Sequence, residues 1–266
     1  MGSVWLIASG KGGVGKSTLC ASLAAALSRQ DTTVCVVDAD IGLRSQDAIL
    51  GVEDQVVYDL MDVAKKGCAI RQALISLPTE DNVSLMAASQ FARARDLEPK
   101  AFARIIQELR GEFGCVLIDA PAGIERSLRV LTQCEPDETV CVLTPDDVCL
   151  RDAARLCSVF ASRKLPTPRA VVNRLQPDLI HLGEMRSAEA CASQLGLRLL
   201  GEVPEDPMIY RAQLNHMRVM DLDCEAKRAM ERIARRMRGK EAPLPAYGTE
   251  KLSWWKRRKL KSLKEV

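Results

Sequence analysis

Apolar and polar positions along the chain follow two rhythms that alternate. Unbroken apolar runs of about five residues read as strands buried on both faces. They are Val4–Ala8, Thr33–Asp38, Val83–Ala87, Cys115–Asp119, Thr139–Thr144, Arg169–Asn173 and Arg198–Val203. Between them, Ser17–Arg29, Pro99–Arg110, Arg151–Ser162 and Ser187–Leu195 carry apolar residues at helical spacing, and Asp221–Arg238 reads as a closing helix. Alternation of this kind predicts an α/β fold: a doubly wound, mostly parallel sheet flanked by helices. The stretch Gly239–Glu250, "GKEAPLPAYGTE", has two prolines and two glycines and predicts a flexible linker. The expected plan is a domain over 1–238, a linker over 239–250 and a separate segment over 251–266.

Composition narrows the class. The 266 residues are 47% hydrophobic, enough for one large core. No run of eighteen apolar residues exists, so no membrane-spanning helix is expected. The first apolar run is too short and wrongly flanked for a secretory signal. Of the ten cysteines, Cys35, Cys115 and Cys141 sit in strand-like runs, and Cys20, Cys157 and Cys191 in helix-like ones. There they act as small hydrophobes, as in a reducing cytosol. No C-x-x-C pair occurs, which counts against a zinc ribbon or cluster site. Charge is uneven: 251–266 carries seven basic side chains and one acid, a net +6, which leaves −3 for 1–250 against the chain's +3.

The chemistry concentrates in "SGKGGVGKST", Ser9–Thr18, directly after the first strand-like run. Gly10–Ser17 matches G-x-x-x-x-G-K-S between a strand and a helix, the context a phosphate loop needs. Backbone N–H groups of Gly10, Lys11, Gly12, Gly13, Val14 and Gly15 can surround phosphate oxygens, aided by the helix N-terminus. Lys16 is placed to reach the β- and γ-phosphates, Ser17 to hold Mg²⁺ and Thr18 to meet the α-phosphate. Such a loop needs one lysine, yet Lys11 is a second. If two copies faced each other across two nucleotides, each Lys11 would reach the other's triphosphate, a charge clamp supplied in trans. Asp38 and Asp40 follow one buried strand and Asp119 ends another, so all three fall on the ligand side of the sheet. Asp119 suits a carboxylate that accepts a Mg²⁺-bound water. Asp47 and Asp59 read more simply as turn or cap acids.

The two-lysine loop resembles the deviant Walker A signature of the MinD/ParA ATPase family, where the first lysine acts as that clamp. The resemblance continues, in order and spacing, through "VVDADIGLRSQD" (36–47), "VVYDLMDV" (56–63), "LIDAPAGIE" (117–125) and "VPED" (203–206), over nearly the whole chain. "DAPAGIE" is the most discriminating stretch, because it resembles MinD-like members and not most plasmid-partition relatives. The resemblance implies a Mg²⁺-dependent ATPase that binds ATP and forms an ATP-dependent homodimer. Lys11, Lys16 and Asp40 are its implied catalytic residues, and Asp40 orients the attacking water. Ser17, Asp38 and Asp119 are the implied metal set, although the residues themselves leave open how Asp38 and Asp40 divide their roles. Pro121 and Gly123 suit a 119–126 loop that changes path when the γ-phosphate leaves. Asn173 and Pro204-Glu205-Asp206 are implied to surround adenine, with capping of a strand end the rival reading of Asn173. Two departures, Ser45 for asparagine and Gln46 for an apolar residue, predict altered partner contact rather than altered ATPase chemistry.

The last segment, "KLSWWKRRKLKSLKEV", is imperfectly amphipathic as a helix. Leu252, Trp255 and Leu263 fall on one side with Leu260 at its margin, Trp254 falls on the polar side, and Arg257, Arg258, Lys261 and Lys264 lie opposite. It predicts an interfacial helix on anionic membrane lipids; a nucleic-acid arm and a solvated basic tail are the other readings, with nucleic acid not expected as the partner. The resemblance implies a cytoplasmic protein, peripheral on the inner face of the cell membrane. It implies recruitment of a MinC-like division inhibitor and stimulation by a MinE-like or other topological factor. Arg151-Asp152 is a candidate part of that partner surface, with a helix cap as the rival. Alternatives are a flagellar-placement ATPase of the same family, a ParA-like DNA-segregation ATPase and an iron–sulfur carrier.

Overall fold

The structure, a computed structural model, describes residues 1–78, 80, 82–122, 128–215 and 217–248. The candidate membrane residues Leu252, Trp254, Trp255, Leu260 and Leu263, and Gly123 of the 119–126 loop, lie outside the described residues.

The chain runs β1 (Ser3–Ala8), α1 (Lys16–Ser28), β2 (Val34–Asp38), α2 (Gln46–Leu50), α3 (Leu60–Ala64), α4 (Ile70–Ala73), β3 (Leu74–Ser76) and β4 (Val83–Met86). It continues through α5 (Pro99–Glu112), β5 (Cys115–Asp119), α6 (Leu128–Leu131), β6 (Glu138–Leu143), α7 (Asp147–Ser162), β7 (Arg169–Leu175) and α8 (Pro177–Leu182). The last elements are α9 (Ala188–Gln194), β8 (Arg198–Pro204), α10 (Pro207–Leu214) and α11 (Glu225–Met237). Among the described residues one sheet forms in the order β3-β4-β2-β5-β1-β6-β7-β8. Every pairing is parallel except β3 with β4. This is the doubly wound α/β fold that the alternation predicts.

Both faces of the sheet are covered, which is why its strands read as unbroken apolar runs. α5 buries Phe102, Ile105, Ile106 and Leu109, an i, i+3, i+4, i+7 stripe. α11 buries Ala226, Ala229, Met230, Ile233, Ala234 and Met237 and leaves Arg228 and Arg235 exposed on its other side. It lies tightly on β8 because Gly201 has no side chain: a Cβ there would stand 2.2 Å from Ile233 Cγ1. Each fully buried Leu, Ile or Phe of this core contributes on the order of 2 kcal/mol. All ten cysteines are free thiols, eight of them buried. Among the described residues no helix is long and apolar enough to cross a membrane.

Three differences from the sequence reading have plain causes. The three-residue β3 is too short to show a period. α7 starts at Asp147, before Arg151, because the Asp146 side chain caps it by accepting the Cys149 N–H at 2.9 Å. Arg151 and Asp152 are therefore not the cap. Finally, residues 239–248, read as a linker, pack against the domain over 242–248. Arg236 donates to the Ala242 carbonyl (3.0 Å), Glu202 accepts the Ala246 N–H (2.6 Å), and the buried Tyr247 hydroxyl donates to Glu225 (2.8 Å) and accepts from Arg232 (3.0 Å).

Candidate nucleotide site

The sheet changes winding direction at β1, which lies between β5 and β6. Open α/β sheets bind ligands at the carboxyl ends of the strands flanking such a point. Residues 9–15 fill that place. Gly13 (φ +79°) and Gly15 (φ +88°) take left-handed conformations that favour glycine. Gly10 rests on α7, where a Cβ would come within 2.4 Å of the Asp152 backbone. Asn173 braces the other side: its amide donates to the Val14 carbonyl at 2.8 Å. Asn173 lies inside β7, just before Arg174 (φ +58°), where the pairing with β8 slips. Such a bulge re-aims neighbouring side chains. Its Oδ1 also accepts the Arg174 N–H at 2.9 Å, so the one side chain caps the irregular strand backbone and holds the loop.

α1 begins at Lys16 with no side-chain cap and no acid in its first turn. Its first N–H groups remain available to an anion. Lys11, Gly12 and Gly13 are exposed at the loop mouth. The Ser9 hydroxyl donates to the Lys11 carbonyl (2.9 Å), while the Lys11 charge lies near Asp146. Burial works to raise the Asp146 carboxyl, but hydrogen bonds from Thr144 and Cys149 and the Lys11 charge take it below the usual range.

Lys16 and Asp119 form a buried ion pair, Nζ to Oδ1 2.5 Å. The other Asp119 oxygen accepts the Gln46 side-chain amide at 2.6 Å. Ser17 Oγ lies 3.4 Å from both Lys16 Nζ and Ser45 Oγ. Asp38 sits level with Asp119 on the neighbouring strand. Its carboxylate is fully buried and accepts three backbone N–H groups, from Asp40 (3.0 Å), Ser45 (2.9 Å) and Gln46 (3.0 Å). Asp38 therefore ties down residues 40–46. Burial, then the charge of Asp119, push its carboxyl up to about 6 despite those three donors. Asp40 is half-buried at the rim; burial raises its carboxyl, Lys16 opposes the shift and Asp119 adds to it.

The sequence reading ties the departures at Ser45 and Gln46 to partner contact rather than to the ATPase chemistry. The structure places both beside Ser17, and Gln46 is wholly buried against Asp119. Nothing local signals this, because Gln46 and Asp119 are far apart in sequence and meet only through the strand order. At the far end of the site, Asp206 caps α10 by accepting the Met208 N–H (2.9 Å) and also accepts the Ala226 N–H (3.1 Å). Glu205 is exposed and hydrogen-bonded to Gln176; Pro204 ends β8 and is buried. Thr18 faces Gln213, whose amide is 3.5 Å from its hydroxyl.

A family model for ParA, described as NUBPL iron-transfer P-loop NTPase, matches residues 1–238. The chain is 40% identical over 248 residues to the septum site-determining protein MinD of Helicobacter pylori, covering 91% of this chain and 92% of that one. The chain belongs to the MinD/ParA family of P-loop ATPases. As a MinD/ParA member it is an ATP-binding switch of the group implicated in septum placement. Its fold matches a solved MinC:MinD cell division protein complex of Aquifex aeolicus with a TM-score of 0.85, at 30% identity over 92% of this chain and 99% of that one. It also matches MinD complexed with Mg-ADP from Pyrococcus horikoshii with a TM-score of 0.78, at 26% identity over 89% of this chain and 96% of that one. The MinD/ParA site residues here fit a magnesium nucleotide: an uncapped helix N-terminus and Lys16 for the anion, and Ser17 and Asp119 oxygens for a hard cation. Gln46 Oε1 supports that fit, being buried without a hydrogen-bond partner.

Proposed function

We propose that the protein is a Mg²⁺-dependent ATPase switch that dimerises with ATP, binds the inner membrane surface through residues 251–266 and places the division septum by recruiting a division inhibitor. The observation that carries this reading is the Lys16–Asp119 ion pair at the uncapped start of α1. A buried lysine held by a carboxylate is a cation waiting for a stronger anionic partner. On nucleotide binding Lys16 would turn to the phosphates, leaving Asp119, beside Ser17, to help hold the magnesium ion. Bound Mg²⁺ neutralises charge on the phosphate oxygens. Asp40, at the rim and tied to Asp38 through its N–H, orients the attacking water. Asn173 and the 204–206 turn border the adenine, with Asp206 acting through the α10 cap.

Lys11 is exposed at the loop mouth, and in such a dimer it is the residue that reaches the partner copy's triphosphate. The seven basic residues and two tryptophans of 251–266 suit an anionic headgroup layer. One short helix binds weakly; two on one dimer gain roughly 10²–10⁴-fold through effective concentration. The inhibitor is expected to be MinC-like, in keeping with the Aquifex relative solved as a MinC:MinD complex, and a MinE-like or other topological factor to trigger hydrolysis. The test is cosedimentation with anionic liposomes and, separately, with duplex DNA, in ATP and in ADP. The whole chain is expected on liposomes in ATP only, and a chain ending at Gly248 in neither. Equal liposome binding in both nucleotides, or pelleting with DNA instead, contradicts the reading.

A further inference from the structure

Gln46 opens α2 and is 0% exposed. Its two side-chain ends are treated differently. The nitrogen faces two groups that can only accept, Asp119 Oδ2 at 2.6 Å and the Ser17 carbonyl at 3.1 Å. The NH₂ end must therefore face them, and the orientation of the amide is fixed by chemistry. Oε1 is left buried with no partner. A buried amide oxygen without a donor is costly, so its presence points to a donor that arrives with a ligand. The Gln46 N–H is held by Asp38 Oδ2 at 3.0 Å, so the residue cannot simply swing away. Gln46 thus joins three parts of the site: Ser17 in the first turn of the phosphate loop's helix, the carboxylate ending β5 and the loop that Asp38 ties down.

We propose that Gln46 is a positioning residue of the metal–nucleotide site, an inference that rests on the magnesium-nucleotide reading above. Its amide N–H keeps Asp119 in place when Lys16 leaves that carboxylate for phosphate, and its Oε1 accepts a hydrogen bond from a water of the Mg²⁺ shell. Lys16 and Gln46 are the side-chain donors that the described residues give Asp119. Once Lys16 departs, the orientation of the carboxylate depends on Gln46.

The test uses the full chain and the fluorescent nucleotide mant-ADP, titrated with Mg²⁺ and also measured in EDTA. Gln46→Leu removes the donor and the acceptor and puts an apolar side chain of similar size in their place; Gln46→Met, unbranched, is read beside it in case Gln46→Leu fails to melt cooperatively. Both variants are expected to need about tenfold more Mg²⁺ for half-maximal tightening, the usual cost of losing a group that orients a metal ligand. Their affinity in EDTA is expected to stay within about twofold of wild type, which a merely structural loss would not spare. An unchanged Mg²⁺ requirement, or an equal loss with and without the metal, overturns the inference. Wild-type binding that ignores Mg²⁺ overturns the magnesium-nucleotide reading itself and this inference with it.

Discussion

Lys16 Nζ, on the first residue of α1, and Asp119 Oδ1, at the carboxyl end of β5, stand 2.5 Å apart, with side chains 7% and 0% exposed. Removing one member of such a pair leaves the other charge buried without compensation. Asp119→Ala is expected to destabilise the nucleotide-free protein by about 3 kcal/mol in urea unfolding. The double change Lys16→Met with Asp119→Leu is expected to recover most of that loss. A double variant no more stable than Asp119→Ala would show that the charges are not paired energetically. Lys16→Ala is expected to abolish ATP turnover.

Asp40 separates binding from hydrolysis. It lies at the rim, makes no direct hydrogen bond to Lys16, and anchors the 40–44 turn through its carbonyl. Asp40→Ala is expected to lower phosphate release at least about 100-fold, the lower range for losing a group that positions or activates a nucleophile. Affinity for mant-ATP is expected to stay near wild type. Wild-type turnover by this variant would remove Asp40 from the catalytic set.

The raised carboxyl of Asp38 gives a pH signature. Burial and the adjacent Asp119 push it to about 6 from the ordinary 3.8, so the folded protein holds that proton more tightly than the unfolded chain does. Its stabilising contribution is fully present below 3.8 and is lost as pH rises through about 6. Asp38→Asn carries no charge and lacks this slope. Between pH 4 and pH 7, the unfolding free energy of wild type is expected to fall relative to that variant by up to about 3 kcal/mol. Parallel urea curves across that range would contradict the assignment.

The fold was legible because a sheet covered on both faces leaves continuous apolar runs, and seven of the strands announce themselves that way. The phosphate loop was legible because its chemistry is local: Gly13 and Gly15 occupy positions where their left-handed backbone is needed. What stayed hidden depends on distant chain segments. In the sequence Gln46 reads only as a departure tied to partner contact; the fold brings Asp119 to it through β5. Asp38 looked like a metal ligand, but its three N–H donors come from a loop whose path the sequence does not state. The prolines and glycines of 239–250 suggested a free linker, yet the buried Tyr247 finds Glu225 and Arg232 on α11.

That contact yields its own expectation. Tyr247→Phe removes a buried hydroxyl linking two charged groups, and is expected to cost about 1–2 kcal/mol. Thermal unfolding of the full chain checks it. A change below about 0.3 kcal/mol would mean that the 242–248 segment contributes little to the domain.

The central claim is that two copies close over two triphosphates and that Lys11 crosses between them. Sedimentation velocity of the Asp40→Ala protein, which is expected to retain ATP, tests it most directly. In Mg-ATP it is expected to run at twice the 29.2 kDa mass of one chain, and in Mg-ADP as a single chain; adding Lys11→Ala is expected to restore the single chain in ATP. A single chain in Mg-ATP at high protein concentration, or a dimer that forms equally well without Lys11, would contradict the account.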